Sequence, residues 1–192
     1  MNFENLFFFL EIGAVFLAVA YLSLAVRRDI RCWIAGIMSS SIYFVLMFTA
    51  NLYMESILQI FYIFMGVYGF NQWKSDIANT EEISITTWNL KTHLIVLGII
   101  LISSYFAGYI LDTYTDAKLP FLDSLTTFGA LFATYMVAKK ILENWIYWFL
   151  IDSVSIYLFI ERELYLTSIL FCLYLIIIIF GFRSWLAVFR AG

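Results

Sequence analysis

"RRDIRCWIAGIMSSSIYFVLMFTANLYMESILQIFYIFMGVYGFNQW", residues 27–73, lies without a gap over "KKILENWIYWFLIDSVSIYLFIERELYLTSILFCLYLIIIIFGFRSW", residues 139–185. The register is set by placing Arg27 on Lys139, and 13 of the 47 paired positions are identical. Trp33 meets Trp145, Leu52 and Tyr53 meet Leu164 and Tyr165, and Ser56, Ile57 and Leu58 meet Ser168, Ile169 and Leu170. Tyr62 meets Tyr174, Gly69 and Phe70 meet Gly181 and Phe182, and Trp73 meets Trp185. Shared hydrophobicity produces some identities, but it does not hold Gly, Trp and Tyr in one ungapped register. One helix earlier, Leu10 and Glu11 meet Leu122 and Asp123. The chain reads as a duplication.

The duplicated unit belongs in lipid. Hydrophobic residues make up 64% of the chain, charged residues 13%, and the mean hydropathy is +0.91. A soluble domain carries about 25% charged residues. A bilayer-crossing helix needs about 20 mostly apolar residues. Seven segments qualify, at 5–26, 32–50, 54–73, 92–112, 121–138, 144–160 and 164–186. Most connections are short, which predicts antiparallel neighbours. The longest, 74–92, is polar and is expected to begin a short helix. No ten-residue stretch alternates apolar and polar, so a β-barrel is not expected. Helices then remain as the way to satisfy the backbone in hydrocarbon. The N-terminus lacks a basic region and a small-residue cleavage site, so the first apolar segment is expected to stay in the mature chain. The net charge of −3 decides little, because charge is confined to short loops.

Three helices end on the opposite side from where they began. A second copy in the same orientation needs one extra crossing, and 92–112 supplies it. The expected fold is all-α, one transmembrane domain over 1–192, with seven helices in 3+1+3 parallel repeats. Repeat one covers 5–73, the linker helix 92–112 and repeat two 119–186. Internal repeats of this kind characterise transporters, with the substrate near mid-membrane between the halves. A seven-helix receptor needs no duplication. With the N-terminus outside, nine basic residues (Arg27, Arg28, Arg31, Lys74, Lys91, Lys139, Lys140, Arg183, Arg190) fall on the cytoplasmic side. Only Lys118 and Arg162 fall outside, a strong positive-inside bias for N-out, C-in.

Differences between the copies point to a site. Gly36 is replaced by Trp148, Ser40 by Asp152, Gln59 by Phe171 and Gly66 by Ile178. Trp145, Trp148 and Asp152 share one helical stripe at i, i+3, i+7. Asp152 lies about 12 Å of helical rise beyond Glu143, a depth at which an ionisable group usually faces a cavity or partner. Two indoles and a carboxylate suggest a cation cage, each ring face attracting a cation by about 0.5–2 kcal/mol. The competing readings are a protonated or hydrogen-bonded packing Asp and, above all for Trp145, an interfacial anchor. Glu55, Gln59, Tyr62 and Gly66 form a second stripe. Gln59 can read a heterocycle's edge or bond to a neighbouring helix, and Glu55 can sit in water. Glu11 and Asp123 recur at equivalent helix starts and read as structural. The small hydroxyls of "SSSIY" (39–43) read as packing, as do Cys32 and Cys172. His93 reads as a solvated loop-end residue. No metal, cofactor or nucleic-acid partner is expected, and no embedded nucleophile–base pair suggests an enzyme.

The stretches "LYMESILQIFYIFMGVYGFNQW", "FLDSLTTFGALFATYMVAKKILENWIYWFLIDSVSIYLF" and "LYLTSILFCLYLIIIIFGFRSW" resemble the PnuC family of bacterial vitamin transporters. The most specific match is its Trp-x-x-Trp-x-x-x-Asn/Asp run, here Trp145, Trp148 and Asp152. The resemblance implies a fold similar to the SWEET sugar transporters. It also implies facilitated diffusion of an unphosphorylated vitamin across the bacterial inner membrane, with trapping by a cytosolic kinase. The nicotinamide riboside branch carries Asn where this chain has Ser39, Gly66 and Asp152, and the Asp form resembles the thiamine, PnuT-like branch. Thiamine is therefore the substrate expected first, with nicotinamide riboside or another vitamin such as riboflavin as alternatives. A proton-coupled symporter using Asp152 is the rival mechanism. Lipid is the other partner, and a homo-oligomer is compatible with the architecture.

Overall fold

The structure, a computed structural model, describes residues 3–49, 53–80, 84–115, 117–161 and 165–191. These form seven helices: α1 (Phe3–Val26), α2 (Arg31–Thr49), α3 (Tyr53–Thr80), α4 (Leu90–Tyr114), α5 (Pro120–Ala138), α6 (Asn144–Glu161) and α7 (Tyr165–Ala191). Six follow the expected spans closely. The exception is α3, which runs on to Thr80 and absorbs the polar stretch from Lys74 that was expected to start a separate helix. Residues 74–80 hold no Pro or Gly to stop a helix, and Trp73, fully buried, anchors the turn before them.

Among the described residues, four helices are long and apolar enough to cross a membrane unaided, within α1, α4, α5 and α7. The other three carry the polar residues that lower hydropathy, including Ser39 and Ser40 in α2, Gln59 in α3 and Asp152 in α6. The site candidates therefore sit on the less lipid-like helices. Conversely, Leu90, Leu94, Leu101 and Tyr105 on α4 are exposed, as a lipid-facing surface requires.

The chain forms two compact units, Met1–Ser84 and Ile85–Gly192. In the first, α2 packs against both α1 and α3. The Ser39 hydroxyl donates to the Ala14 carbonyl at 2.8 Å, joining α2 to α1. The α1–α2 turn puts Arg28 in the left-handed region at φ 58°, and the Asp29 amide donates back to the Leu24 carbonyl at 3.0 Å. Across α2 and α3, Trp33 meets Trp73 edge-on, with centroids 5.5 Å apart and planes at 86°. A Cβ on Gly69 would run into the Trp33 ring, so the contact needs glycine there. Cys32, beside Trp33, is fully buried.

In the second unit α5 packs on α4 and α6, and α6 on α7. Asn89 caps α4 by accepting from the Thr92 amide at 2.8 Å. Pro120 starts α5, where its missing N–H costs nothing. The α5–α6 turn repeats the first-unit turn. Lys140 has φ 57°, and the Ile141 amide donates to the Met136 carbonyl at 2.9 Å. Trp145 meets Trp185 at 5.4 Å and 87°, and a Cβ on Gly181 would lie 2.5 Å from the Trp145 ring. Each of these residues is the one that the duplicated register pairs with its first-unit counterpart. Cys172 departs from expectation: it is exposed on α7 rather than packed.

Candidate functional site

The α5–α6 turn launches α6 with Asn144 and Trp145 inward. Trp145 is 1% exposed and held between Trp185 and Gly181. It occupies the place that Trp33 occupies in the first unit, so its indole has a packing role in the scaffold. One turn on, Trp148 is half-buried, with no ring contact among the described residues. One further turn on, Asp152 is 4% exposed. Among the described residues it has no hydrogen-bond or ion-pair partner. A buried carboxylate left unpaired is expensive, by several kcal/mol for an ionised group on the order-of-magnitude scale for desolvation. Such a group is retained where something else supplies its counter-charge or proton.

The second stripe lies in the first unit. Gln59 and Tyr62 are half-buried on α3, one turn apart. The Glu55 side chain lies outside the described residues. Gly66 is buried, and a Cβ there would lie 2.5 Å from Ile37 on α2. The glycine thus serves the α2–α3 approach. The seven sequence candidates therefore divide into an α6 set, Trp145, Trp148 and Asp152, and an α3 set, Glu55, Gln59, Tyr62 and Gly66.

His93 is a correction. Expected as a solvated loop-end residue, its side chain is only 15% exposed. Its Nδ1 lies 3.0 Å from the Tyr147 hydroxyl, and its Nε2 lies 3.8 Å from a Glu143 carboxylate oxygen. The Trp88 ring is 5.7 Å away, and the Trp88 amide donates to Glu143 at 3.4 Å. The reason is the loop. The Thr86 amide donates to the Lys140 carbonyl at 3.1 Å and the Leu142 amide to the Thr86 carbonyl at 2.8 Å. That short parallel pairing draws Trp88 and the start of α4 onto the start of α6 and leaves a cleft of about 460 Å³ beside them. Nothing in local sequence signals a pairing between segments so far apart in the chain.

Seven described helices, four of them long and apolar enough to cross a membrane, are the build of a multi-pass membrane protein. The family model described as nicotinamide mononucleotide transporter matches residues 8–187, and the chain belongs to that family. It is a membrane transporter of the PnuC type. The nicotinamide riboside transporter PnuC of Escherichia coli (strain K12) is 22% identical over 190 residues, covering 86% of this chain and 80% of the relative. The protein of the same name from Shigella flexneri matches equally. Among solved structures, the crystal structure of the vitamin B3 transporter PnuC superposes with a TM-score of 0.75 at 19% identity, over 95% of this chain and 83% of that one.

Proposed function

We propose that this transporter carries a small, unphosphorylated vitamin with a cationic ring, and that nicotinamide riboside is its first substrate. The observation that carries the reading is Asp152, buried and without a partner among the described residues, one turn from a half-buried indole. A pyridinium or thiazolium ring supplies both the charge that the carboxylate lacks and a face for Trp148. The relatives are named for nicotinamide riboside, which reverses the order expected from sequence. Two of the three departures that favoured thiamine also have packing explanations. Ser39 bonds to Ala14, and Gly66 fits against Ile37. Thiamine stays as the second reading on Asp152 alone, since a carboxylate accepts from an aminopyrimidine and Asn does so less well.

Phosphate esters are poor substrates in this reading, because no Lys or Arg lies in the middle turns of any described helix to receive a phosphate. Transport is facilitated diffusion, with trapping by a cytosolic kinase. The chain sits in the inner membrane with the N-terminus outside and the C-terminus in the cytoplasm, a topology supported by the nine-to-two distribution of Lys and Arg. The architecture is 3+1+3 with parallel, SWEET-like repeats. Its support is the recurrence, in the register of the duplication, of the left-handed turn residue, the crossed tryptophans and the glycine beneath them.

Titration of the purified protein with nicotinamide riboside, its 5′-phosphate and thiamine is the test. Binding of the riboside well ahead of the phosphate supports the reading, and equal affinity for the phosphate overturns it. Thiamine binding more tightly than the riboside restores the second reading.

A further inference from the structure

Within the second unit, α4 and α6 both pack on α5 and, among the described residues, not on each other. The gap beside their first turns is the cleft of about 460 Å³ next to the Thr86 pairing. That volume falls in the range of roughly 300–1,000 Å³ typical of small-molecule sites. Its polar groups all lie at one end. They are the Glu143 carboxylate, the His93 ring and the Tyr147 hydroxyl, 3.0 Å from His93 Nδ1, with the Trp88 ring beside them. Leu97 on α4 and Leu150 on α6 line the other end, and both are exposed. Leu97 lies seven residues beyond Leu90 and Leu150 seven beyond Glu143, about 10 Å of helical rise in each case.

The polar end therefore stands where α4, one of the helices fit to cross a membrane, begins. A tryptophan at that level belongs to the interface between headgroups and hydrocarbon. The far end opens onto the exposed leucines that face lipid. A cleft that changes from polar to apolar along the direction in which the bilayer does so fits an amphiphile. A riboside fits poorly, because its hydroxyls would find no partner against Leu97 and Leu150.

The polar end also selects by charge. It presents one carboxylate and the rings of Trp88, His93 and Tyr147, and no Lys or Arg lines the cleft. Both contacts of the carboxylate are long, 3.4 Å from the Trp88 amide and 3.8 Å from His93 Nε2. Good N–H···O bonds are about 2.7–3.2 Å, so the carboxylate retains capacity for a stronger donor. A primary ammonium supplies one, together with a cation for the ring faces.

We propose that this cleft is a lipid site that takes a phospholipid with a primary-amine headgroup. The ammonium binds the Glu143 carboxylate beside the Trp88 ring, and an acyl chain lies along Leu97 and Leu150. The site concerns the membrane around the transporter and stands independently of which vitamin is carried.

The test titrates delipidated wild-type protein with short-chain phosphatidylethanolamine and with phosphatidylglycerol. The readouts are the rise in melting point over each protein's own lipid-free value and the number of lipids retained in native mass spectrometry. Phosphatidylethanolamine is expected to bind about tenfold more tightly than phosphatidylglycerol. Glu143→Gln should lose most of that preference. Leu97→Trp, which fills the cleft without removing a polar group, should lose the bound lipid. Leu101→Trp, at an exposed position one turn further along α4 and outside the cleft, should behave as wild type. Equal affinity of wild type for the two lipids overturns the proposal, as does a wild-type preference in folded Glu143→Gln and Leu97→Trp. If Leu97→Trp does not fold, Leu150→Trp takes its place. A response to free ethanolamine equal to that to the lipid overturns the acyl-chain assignment. Association of lipid-free copies that Leu97→Trp abolishes makes the cleft an interface between copies and overturns the proposal as well.

Discussion

The α1–α3 and α5–α7 copies share a frame and differ in what hangs on it. The frame is a left-handed residue in the turn, a fully buried tryptophan shortly after it, a second tryptophan crossed at nearly 90° and a glycine under the first ring. Even the indole N–H groups of Trp33 and Trp145 are alike, both buried without an acceptor among the described residues. Beside that frame the copies diverge. Arg31 pairs with Asp29 in its own exposed turn, whereas its equivalent, Glu143, faces Trp88 and His93. Ser40 and Asp152 are both buried, but only the second introduces a carboxylate. The contacts that set helix spacing recur in both units, and the positions outside them differ.

The shared frame gives the largest expected effects. Trp33→Ala and Trp145→Ala should each cost about 3–5 kcal/mol of stability, the scale for deleting a buried aromatic. Thermal unfolding in detergent should show similar drops for the two. A large drop for Trp33→Ala beside an unchanged melting point and lost substrate affinity for Trp145→Ala would break the equivalence and return Trp145 to the site.

Next comes the charged difference. Asp152→Asn should weaken binding of the cationic vitamin about tenfold, or roughly 1.4 kcal/mol, and shift the preference between riboside and thiamine. Ser40→Asn, which installs the same residue at the equivalent place in the other copy, should stay within about twofold. Equal losses at both positions, measured by calorimetric titration, would mean that the second copy has no special part in charge recognition.

Glu143→Gln removes a carboxylate shared by Trp88 and His93, at an expected cost of about 0.5–1.5 kcal/mol, the range of one net hydrogen bond. Protection of the Trp88 amide in hydrogen exchange should fall with it. Full protection in the variant would show that the Thr86 pairing alone holds the loop.

The smallest effect is at Asp29. Its carboxyl lies below the usual carboxylate range, chiefly through hydrogen bonds from the Arg31 side chain. A depressed carboxylate stabilises the fold above its unfolded pKa and loses that contribution as pH falls through the folded value. Acidification below about pH 4 should therefore release the α1–α2 turn slightly. Asp29→Asn should remove that dependence with little change at neutral pH, because the pair is exposed. An unchanged acid response of the turn in this variant would assign the effect elsewhere.

The number of helices, their approximate ends and the register in which residues 27–73 align with 139–185 were legible in the sequence. These follow from hydropathy over windows of about 20 residues and from side chains whose size cannot vary at close helix crossings. The sequence also marked Asp152, because a carboxylate deep in an apolar helix is conspicuous wherever it points. Tertiary structure alone decided which indole on the α6 stripe was already occupied. Helical period puts Trp145 and Trp148 on one face, but only the position of Gly181 and Trp185 shows that the first is packed. The same holds for Gly66, explained by Ile37 on another helix, and for His93, enclosed through a pairing between distant loops. Tyr21 on α1 completes the set, since its ring packs on Trp33 and fills the space left at Gly36 on α2. Periodicity assigns a residue to a face; what fills the space before that face is contributed by segments far away in the chain, and only folding brings them there.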